Sequence, residues 1–190
     1  MISVEMSTMN SKISSTRGRG TAAAYFSHLA LAMITFASNR LASGAARPLR
    51  KYFDLSVTEA RVLYLTGVGG SIAVSAVVSM IGLDKAAISR AASRLVEKGL
   101  LKSQPDPRHL ARNLLLITDR GRRYYEAISR YNLAREEALL KVLTPDQRKQ
   151  FVEALRKILS NIAAANNLNP DVDIEFERIP HGLNRPRIRT

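Results

Sequence analysis

Apolar residues recur at helical spacing near the start of the chain. They fall three or four positions apart and form one stripe made of Ala22, Tyr25, Leu29, Met33 and Phe36. This spacing predicts an amphipathic helix from about residue 21 to Ser43-Gly44. The twenty residues before it are small and polar without sustained periodicity, which predicts a flexible arm.

The middle of the chain predicts a helix that opens with a capping box. Ser56 is followed three residues later by Glu59, so that each side chain can bond the backbone of the other residue. An apolar run follows the box, and the glycines within residues 67–70 are expected to end the helix.

Two more short helices are predicted on either side of a glycine turn. Residues 71–81 form a short apolar helical segment, and Gly82-Leu83 predicts a turn. Asp84 is the expected N-cap of a helix that runs to Lys98 before Gly99 stops it. Two short helices around such a turn are typical of a helix-turn-helix.

Beyond Gly99 the pattern changes from helical to extended. Residues 100–104 and 113–117 have the composition of strands, and the tip between them contains two prolines and several basic residues. We therefore predict a hairpin that forms a wing beside the helix-turn-helix.

Two long helices are predicted after the wing. The first runs from about residue 118 to 142, and the second follows a capping box of Thr144 and Gln147 with Pro145 at its first position. The apolar stripe of the second helix consists of Phe151, Leu155, Ile158 and Ile162. Because a domain of this size cannot cover amphipathic helices at both ends by itself, we predict a helical interface in a homodimer.

The last segment, residues 167–190, alternates acidic with apolar residues before three spaced arginines. The alternation suits an extended segment, and disorder is the other interpretation for such a terminus. The predicted division of the chain is a flexible arm (1–20), an N-terminal dimerisation helix with its connector (21–55), a winged helix-turn-helix module (56–118), C-terminal dimerisation helices (119–166) and the tail (167–190). The predicted fold class is mainly α, of the α+β type.

Composition narrows the range of partners. The 190 residues include 29 Lys and Arg against 16 Asp and Glu, which gives a formal net charge of +13. Such an excess favours a polyanionic partner, either nucleic acid or an anionic membrane surface. The most apolar N-terminal stretch, residues 22–37, contains polar side chains and is short for a spanning helix. We therefore expect a soluble cytoplasmic protein without a membrane partner.

Neither catalysis nor metal binding is expected. The chain has no cysteine, which excludes disulfides, thiolate metal sites and thiol redox sensing. Its three histidines, His28, His109 and His181, are dispersed along the sequence, and no glycine-rich phosphate loop is present. We therefore predict that the protein is not an enzyme and uses no cofactor.

The predicted helix-turn-helix indicates which residues could contact DNA. In this motif the first two turns of the second helix enter the major groove. Here these turns carry Lys85, Ala86, Ala87, Ser89 and Arg90. Arg90 can bond both acceptors of a guanine, whereas Arg94, one turn further, is expected at a phosphate. The basic tip of the wing has the size and charge to enter a narrow minor groove.

These residues also carry a resemblance to a known family. The chain resembles the MarR (multiple antibiotic resistance regulator) family over residues 21–164. The motifs that resemble it are Ile81-Gly82-Leu83-Asp84, Ser89-Arg90, Leu95-Val96-Glu97-Lys98-Gly99-Leu100, Asp106-Pro107-Arg108 and Leu116-Ile117-Thr118-Asp119-Arg120-Gly121. The resemblance implies a homodimer that represses transcription at pseudo-palindromic operators and is released by a small phenolic or aromatic ligand.

The resemblance also assigns roles to individual residues. Asp106 and Arg108 match the family's wing pair, in which the aspartate orients the arginine toward the minor groove. A second wing arginine of the family corresponds to Ala111 here, and Arg112 follows one residue later. The residues implied at the effector cleft are Tyr25, His28, Arg40, Tyr52 and Tyr64. The alternative is that these side chains only fill the dimer junction and that repression is constitutive.

Two other functions fit part of the sequence. A nucleoid-type or architectural DNA-binding protein without an effector explains the charge but not the capped recognition helix. A winged helix devoted to protein interactions would lack the arginines of the helix and wing, which are present here. Binding to random and operator DNA separates a regulator from an architectural protein, because only a regulator keeps a large specificity ratio.

Overall fold

The computed structural model describes residues 29–107 and 109–168, with the backbone alone at 109–111. The helices and strands of this part, in chain order, are α1 (Ala30–Phe53), α2 (Val57–Gly69), β1 (Ser71–Ala73), α3 (Val74–Ile81), α4 (Lys85–Glu97), β2 (Leu101–Asp106), β3 (His109–Ile117), α5 (Asp119–Leu140) and α6 (Pro145–Asn166). The strands form one antiparallel sheet in the order β1-β3-β2. The mainly α winged helix-turn-helix architecture predicted from the sequence is confirmed. The predictions for the N-terminal arm and for nearly all of the tail lie outside the described residues.

The chain divides into two compact units, Met1–Leu133 and Ala134–Thr190. The first unit contains the sheet and the helix-turn-helix, and the second contains the end of α5 and all of α6. Within the second unit, Arg148 donates to both carboxylate oxygens of Glu137, at 2.8 and 3.0 Å. The predicted capping box at Thr144 begins α6.

The first helix is longer at its C-terminal end than the sequence predicts. It continues past Ser43-Gly44 to Phe53, with Pro48 inside it. Glycine and proline destabilise a helix interior by about 1 and about 3 kcal/mol. Here Ala45 and Leu49 are buried and hold this part of the helix against the core. The predicted end was wrong because tertiary packing outweighs the local stop signal.

The segment predicted as one apolar helix instead forms β1 followed by α3. Strand β1 pairs antiparallel with β3, so that Ile72 lies opposite Leu115. The helical prediction was wrong for Ser71–Ala73 because strand formation there depends on a partner that lies far along the chain. Pairing with β1 makes β3 the central strand and ties the wing to the helix-turn-helix.

The hydrophobic core of the first unit draws on all parts of the winged motif. The apolar residues that are at most 1% exposed are Leu55, Val62, Leu63, Val77, Ile88, Ala91, Leu95, Leu100, Leu101, Leu115 and Ile128. Burying a large apolar side chain stabilises a fold by about 1.5–3 kcal/mol. This cluster therefore holds the helix-turn-helix, the sheet and α5 together.

The start of α5 lies against the segment that joins α4 to β2. A Cβ atom at Gly121 would overlap the carbonyl oxygen of Leu100. The Thr118 hydroxyl donates to that carbonyl at 3.0 Å and accepts from the Gly121 backbone N–H at 2.9 Å. Glycine at this position thus allows α5 to begin directly beside the base of the wing.

Candidate nucleic-acid interface

A tight turn sets the angle between α3 and α4. Gly82 adopts a left-handed conformation with φ of 71° and ends α3. Asp84 then caps α4, because its carboxylate accepts from the backbone N–H of Ala87 at 2.8 Å. Left-handed φ favours glycine, and aspartate is a preferred N-cap. The sequence predicted both residues in these roles.

One face of α4 is fixed in the core. Ile88, Ala91 and Leu95 are fully buried, and Ala92 is nearly so. These positions are three or four residues apart, which places them on one side of the helix. The predicted inward orientation of the first three is confirmed. This burial determines which side chains of α4 face outward.

The opposite face of α4 is exposed to solvent. Its exposed positions at helical spacing are Ala86, Arg90, Ser93 and Glu97. Among the other predicted contacts, Lys85 is exposed, whereas Ala87 and Ser89 are half-buried at the edges of this face. The sequence analysis missed Ser93, although its position three residues after Arg90 places it on the same side.

Arg94 has a structural partner that the sequence analysis did not predict. Its Nε donates to Oε1 of Glu59 at 2.7 Å. The Glu59 side chain is 2% exposed and the Arg94 side chain is 49% exposed. The ion pair connects α2 to α4, and the phosphate contact expected of Arg94 stays a prediction beside this second role.

Glu59 also completes the capping box at the start of α2. Its Oε2 accepts from the backbone N–H of Ser56 at 2.6 Å, and its own N–H donates to the Ser56 hydroxyl at 3.2 Å. Burial acts to raise the pKa of the Glu59 carboxyl, but the hydrogen bonds from Ser56 and Arg94 outweigh it. The net pKa is lowered, so that the carboxylate form is favoured.

The wing is built on the long pairing of β2 with β3. The register joins Leu101 with Ile117 and continues to Asp106 with His109, with an irregularity between Pro105 and Asp106. Arg112 is exposed on β3, and Asp106 is half-buried. Arg108 lies outside the described residues, so its predicted contact with the minor groove stays a prediction.

The residues proposed for an effector cleft are not all within reach of one another. Arg40 and Tyr52 are exposed on α1, and twelve residues of helix separate them by about 18 Å. One small ligand therefore cannot touch both within one protomer. Tyr64 on α2 is half-buried, and its ring centroid lies 5.5 Å from that of Tyr125. Tyr25 and His28 lie outside the described residues.

Metal sites and membrane spans are both absent from the described part of the chain. No group of three or more His, Cys, Asp or Glu side chains suited to a metal ion occurs among residues 29–107 and 109–168. None of the helices in that part of the chain is long and apolar enough to cross a membrane.

Comparisons with known proteins identify relatives of this architecture. Residues 53–110 match the model of a family described as the MarR family. Among solved structures, a MarR/EmrR family transcriptional regulator from Acinetobacter sp. ADP1 is 25% identical, with a TM-score of 0.65 over 71% of this chain and 95% of that chain. No relative was found among curated protein sequences.

Two of the similar solved structures contain DNA. A putative MarR family transcriptional regulator from Listeria monocytogenes, complexed with 26mer DNA, is 24% identical, with a TM-score of 0.66 over 71% of this chain and 89% of that chain. The S. aureus MepR-DNA complex is 19% identical, with a TM-score of 0.60 over 68% of this chain and 95% of that chain. These two likenesses show a shared fold.

The buried carboxylate predicts a specific dependence of stability on pH. Because folding lowers the pKa of Glu59, its contribution is fully present above its ordinary value of 4.5 and is lost as the pH falls through the lowered value. We expect Glu59→Gln to reduce the free energy of unfolding at pH 7 by about 1–3 kcal/mol. The difference from the wild type should shrink below pH about 4.

Urea unfolding of both proteins at a series of pH values measures this difference. Glu126→Gln, at an exposed position on α5, removes the same charge and should differ little from the wild type throughout. If the free energy of unfolding of Glu59→Gln is lower than that of the wild type by the same amount at neutral and acidic pH, the role assigned to the carboxylate is contradicted.

Proposed function

We propose that this chain, whose residues 53–110 match the MarR family model, is a transcription regulator of that family and a homodimeric repressor of a pseudo-palindromic operator. It binds DNA through α4 and the wing and acts in the cytoplasm. A small aromatic anion releases it from the operator.

The outward face of α4 is the observation that carries this proposal. Arg90 is exposed on the side opposite the buried Ile88 and Leu95. An arginine at this place in a recognition helix can bond both O6 and N7 of a guanine. Ala86 and Ser93 flank it with small side chains. They leave room for a close approach to base edges.

Long-range electrostatics support DNA as the partner. The formal net charge of +13 attracts a polyanion. Charge alone gives binding without sequence preference, since phosphate contacts carry no base information. The proposed regulator differs from an architectural protein because Arg90 adds a base contact to that attraction.

Exposed apolar side chains support the homodimer. On α1 they are Leu31, Met33, Ile34 and Phe36, and on α6 they are Phe151, Ile158, Leu159 and Ile162, each 40–80% exposed. Exposed large apolar side chains in such number are unfavourable in water and are typical of an interface. Two-fold symmetry then separates the recognition helices by about one turn of DNA, roughly 34 Å.

The proposed homodimer can account for both repression and its release. Occupancy of a promoter by a dimer is sufficient to exclude other proteins from the same DNA. A ligand bound near the dimer helices would change the spacing of the two recognition helices. Operator binding would then weaken by the difference between the ligand's binding free energies for the altered and the DNA-binding spacing. Tyr64 and its neighbour Tyr125, whose ring centroids lie 5.5 Å apart, offer aromatic rings for such a ligand.

One prediction of the proposed function concerns base reading by Arg90. Selection from random duplexes should yield an inverted repeat with half-sites about one helical turn apart. Arg90→Ala should weaken binding to this operator by about 1–3 kcal/mol, with a smaller loss on random DNA, because a bidentate base contact is removed. Arg130→Ala, an exposed arginine on α5, removes the same charge and should reduce binding to both duplexes only slightly. Equal losses on both duplexes for Arg90→Ala would refute base reading by this side chain.

The second prediction concerns assembly. Sedimentation at micromolar concentration should show a dimer, and Phe151→Glu should shift the equilibrium toward the monomer, because a buried charge is costly at an interface. Gln150→Glu introduces the same charge at the adjacent exposed position on α6 and should remain dimeric. Sedimentation of the wild type as a monomer under these conditions would contradict the proposed homodimer.

The third prediction concerns the effector. Millimolar salicylate-like or hydroxycinnamate-like compounds should weaken operator binding by about 5–150-fold, the range of typical allosteric coupling. They should also raise the melting temperature of the free protein. Cyclohexanecarboxylate, an anion without an aromatic ring, serves as the control. Unchanged operator affinity together with an unchanged melting temperature would leave constitutive repression as the better account.

A further inference from the structure

The C-terminal half of α1 carries three cations on one side. Arg40, Arg47 and Lys51 are exposed, and at about 100° per residue they fall within about 40° of one another around the helix axis. We refer to these three residues as the α1 cationic face. The buried Ala45 and Leu49 lie on the opposite side of the helix.

The charges of this face are not neutralised within the described structure. The segment from Ala30 to Phe53 contains no acidic residue. The nearby Asp54 is instead paired with Arg50 at 3.4 Å and with Lys98 at 3.1 Å. Among residues 29–107 and 109–168, no ion pair to the α1 cationic face occurs, and the Lys51 ammonium lies 4.8 Å from the ring centroid of Tyr52.

The C-terminal end of α1 lies beside the C-terminal end of α4. Lys98 is the C-cap of α4. Its ammonium group bonds both the backbone carbonyl and the carboxylate of Asp54, the residue that ends α1. Two contacts from one ammonium group therefore join the C-terminal ends of α1 and α4 within the first unit.

From this placement we propose that the α1 cationic face binds the DNA phosphates that flank the base pairs contacted by α4. The proposal rests on DNA binding by α4 as proposed above and extends the footprint beyond the winged motif. Arg40 and Lys51 are eleven residues apart, about 16 Å along the helix. Over that length one strand of a duplex presents several phosphates, one for each 3.4 Å or so of axis.

The choice of a DNA backbone follows from charge and position together. Three exposed cations on a helix that contains no acidic residue match a linear polyanion. The link from Lys98 to Asp54 places the Lys51 end of this face next to the C-terminal end of α4, the helix proposed to bind the duplex. The small residues Ser43 and Gly44 lie between the arginines, and a Cβ at Gly44 would meet nothing within 4 Å. Among the described residues, the backbone at Gly44 is therefore open to close approach by a phosphate.

The salt dependence of binding tests the proposal. Two duplexes carry the selected operator: a short one that ends at the outer edges of the half-sites, and a long one with about one more helical turn, roughly 10 bp, on each side. The variant replaces all three residues, Arg40→Ala, Arg47→Ala and Lys51→Ala. On the long duplex its plot of log affinity against log salt should be shallower than that of the wild type by about two to five, because a dimer loses up to six phosphate contacts. On the short duplex the two proteins should have nearly equal slopes.

A second triple variant controls for net charge. Lys149→Ala, Arg156→Ala and Lys157→Ala remove three exposed cations from α6 and should leave the difference between the long and short duplexes unchanged. Sedimentation and circular dichroism of each variant establish that dimer and fold are retained. Equal slopes for the wild type and the α1 variant on the long duplex would overturn the proposal.

Lipid vesicles and random DNA distinguish the remaining outcomes. If the wild type binds vesicles of phosphatidylserine and phosphatidylcholine and the α1 variant does not, while their DNA slopes agree, the face binds lipid and the proposal is wrong. If the wild type does not distinguish operator from random DNA, the proposed regulator fails. The α1 contact is then still measurable as a difference in slope between long and short random duplexes.

Discussion

Burial of one side of α4 fixes the rotation of this helix about its axis, and the candidate DNA-binding surface depends on that rotation. Ile88, Ala91 and Leu95 are fully inside the core, so Arg90 must face solvent. A rotation by one residue would bury an arginine and expose a leucine, at a cost of several kcal/mol. The interior of the protein thus determines which side chains of α4 face solvent.

Polar contacts hold α4 in place in addition to its apolar packing. One carboxylate, that of Glu59, accepts from the Ser56 backbone and from Arg94, so the start of α2 and the middle of α4 share a single group. Lys98 ties the end of α4 to Asp54 in the same way. Both the middle and the end of the recognition helix are therefore held by the elements that precede it in the chain. Preorganisation of this kind reduces the entropy lost when DNA binds.

Signals confined to a few neighbouring residues predicted most of the fold. The capping boxes at Ser56 and Thr144, the Asp84 cap and the glycine turn all depend on local spacing, and each occurs as predicted. The errors came from partners distant in sequence. Strand β1 exists because β3 pairs with it, and α1 passes Pro48 because its buried side reaches the core. For the same reason the sequence predicted that Arg90 faces outward but did not predict the ion pair between Arg94 and Glu59.

The proposed regulator depends most directly on a bond between Arg90 and a guanine in the major groove. Replacing single guanines of the selected operator by 7-deazaguanine removes the N7 acceptor and leaves base pairing intact. We expect one such replacement in each half-site to weaken binding by the wild type but not by Arg90→Ala, since the two changes remove the same contact. If no guanine responds, or if the wild type and Arg90→Ala respond equally at every guanine, the assignment of Arg90 is contradicted.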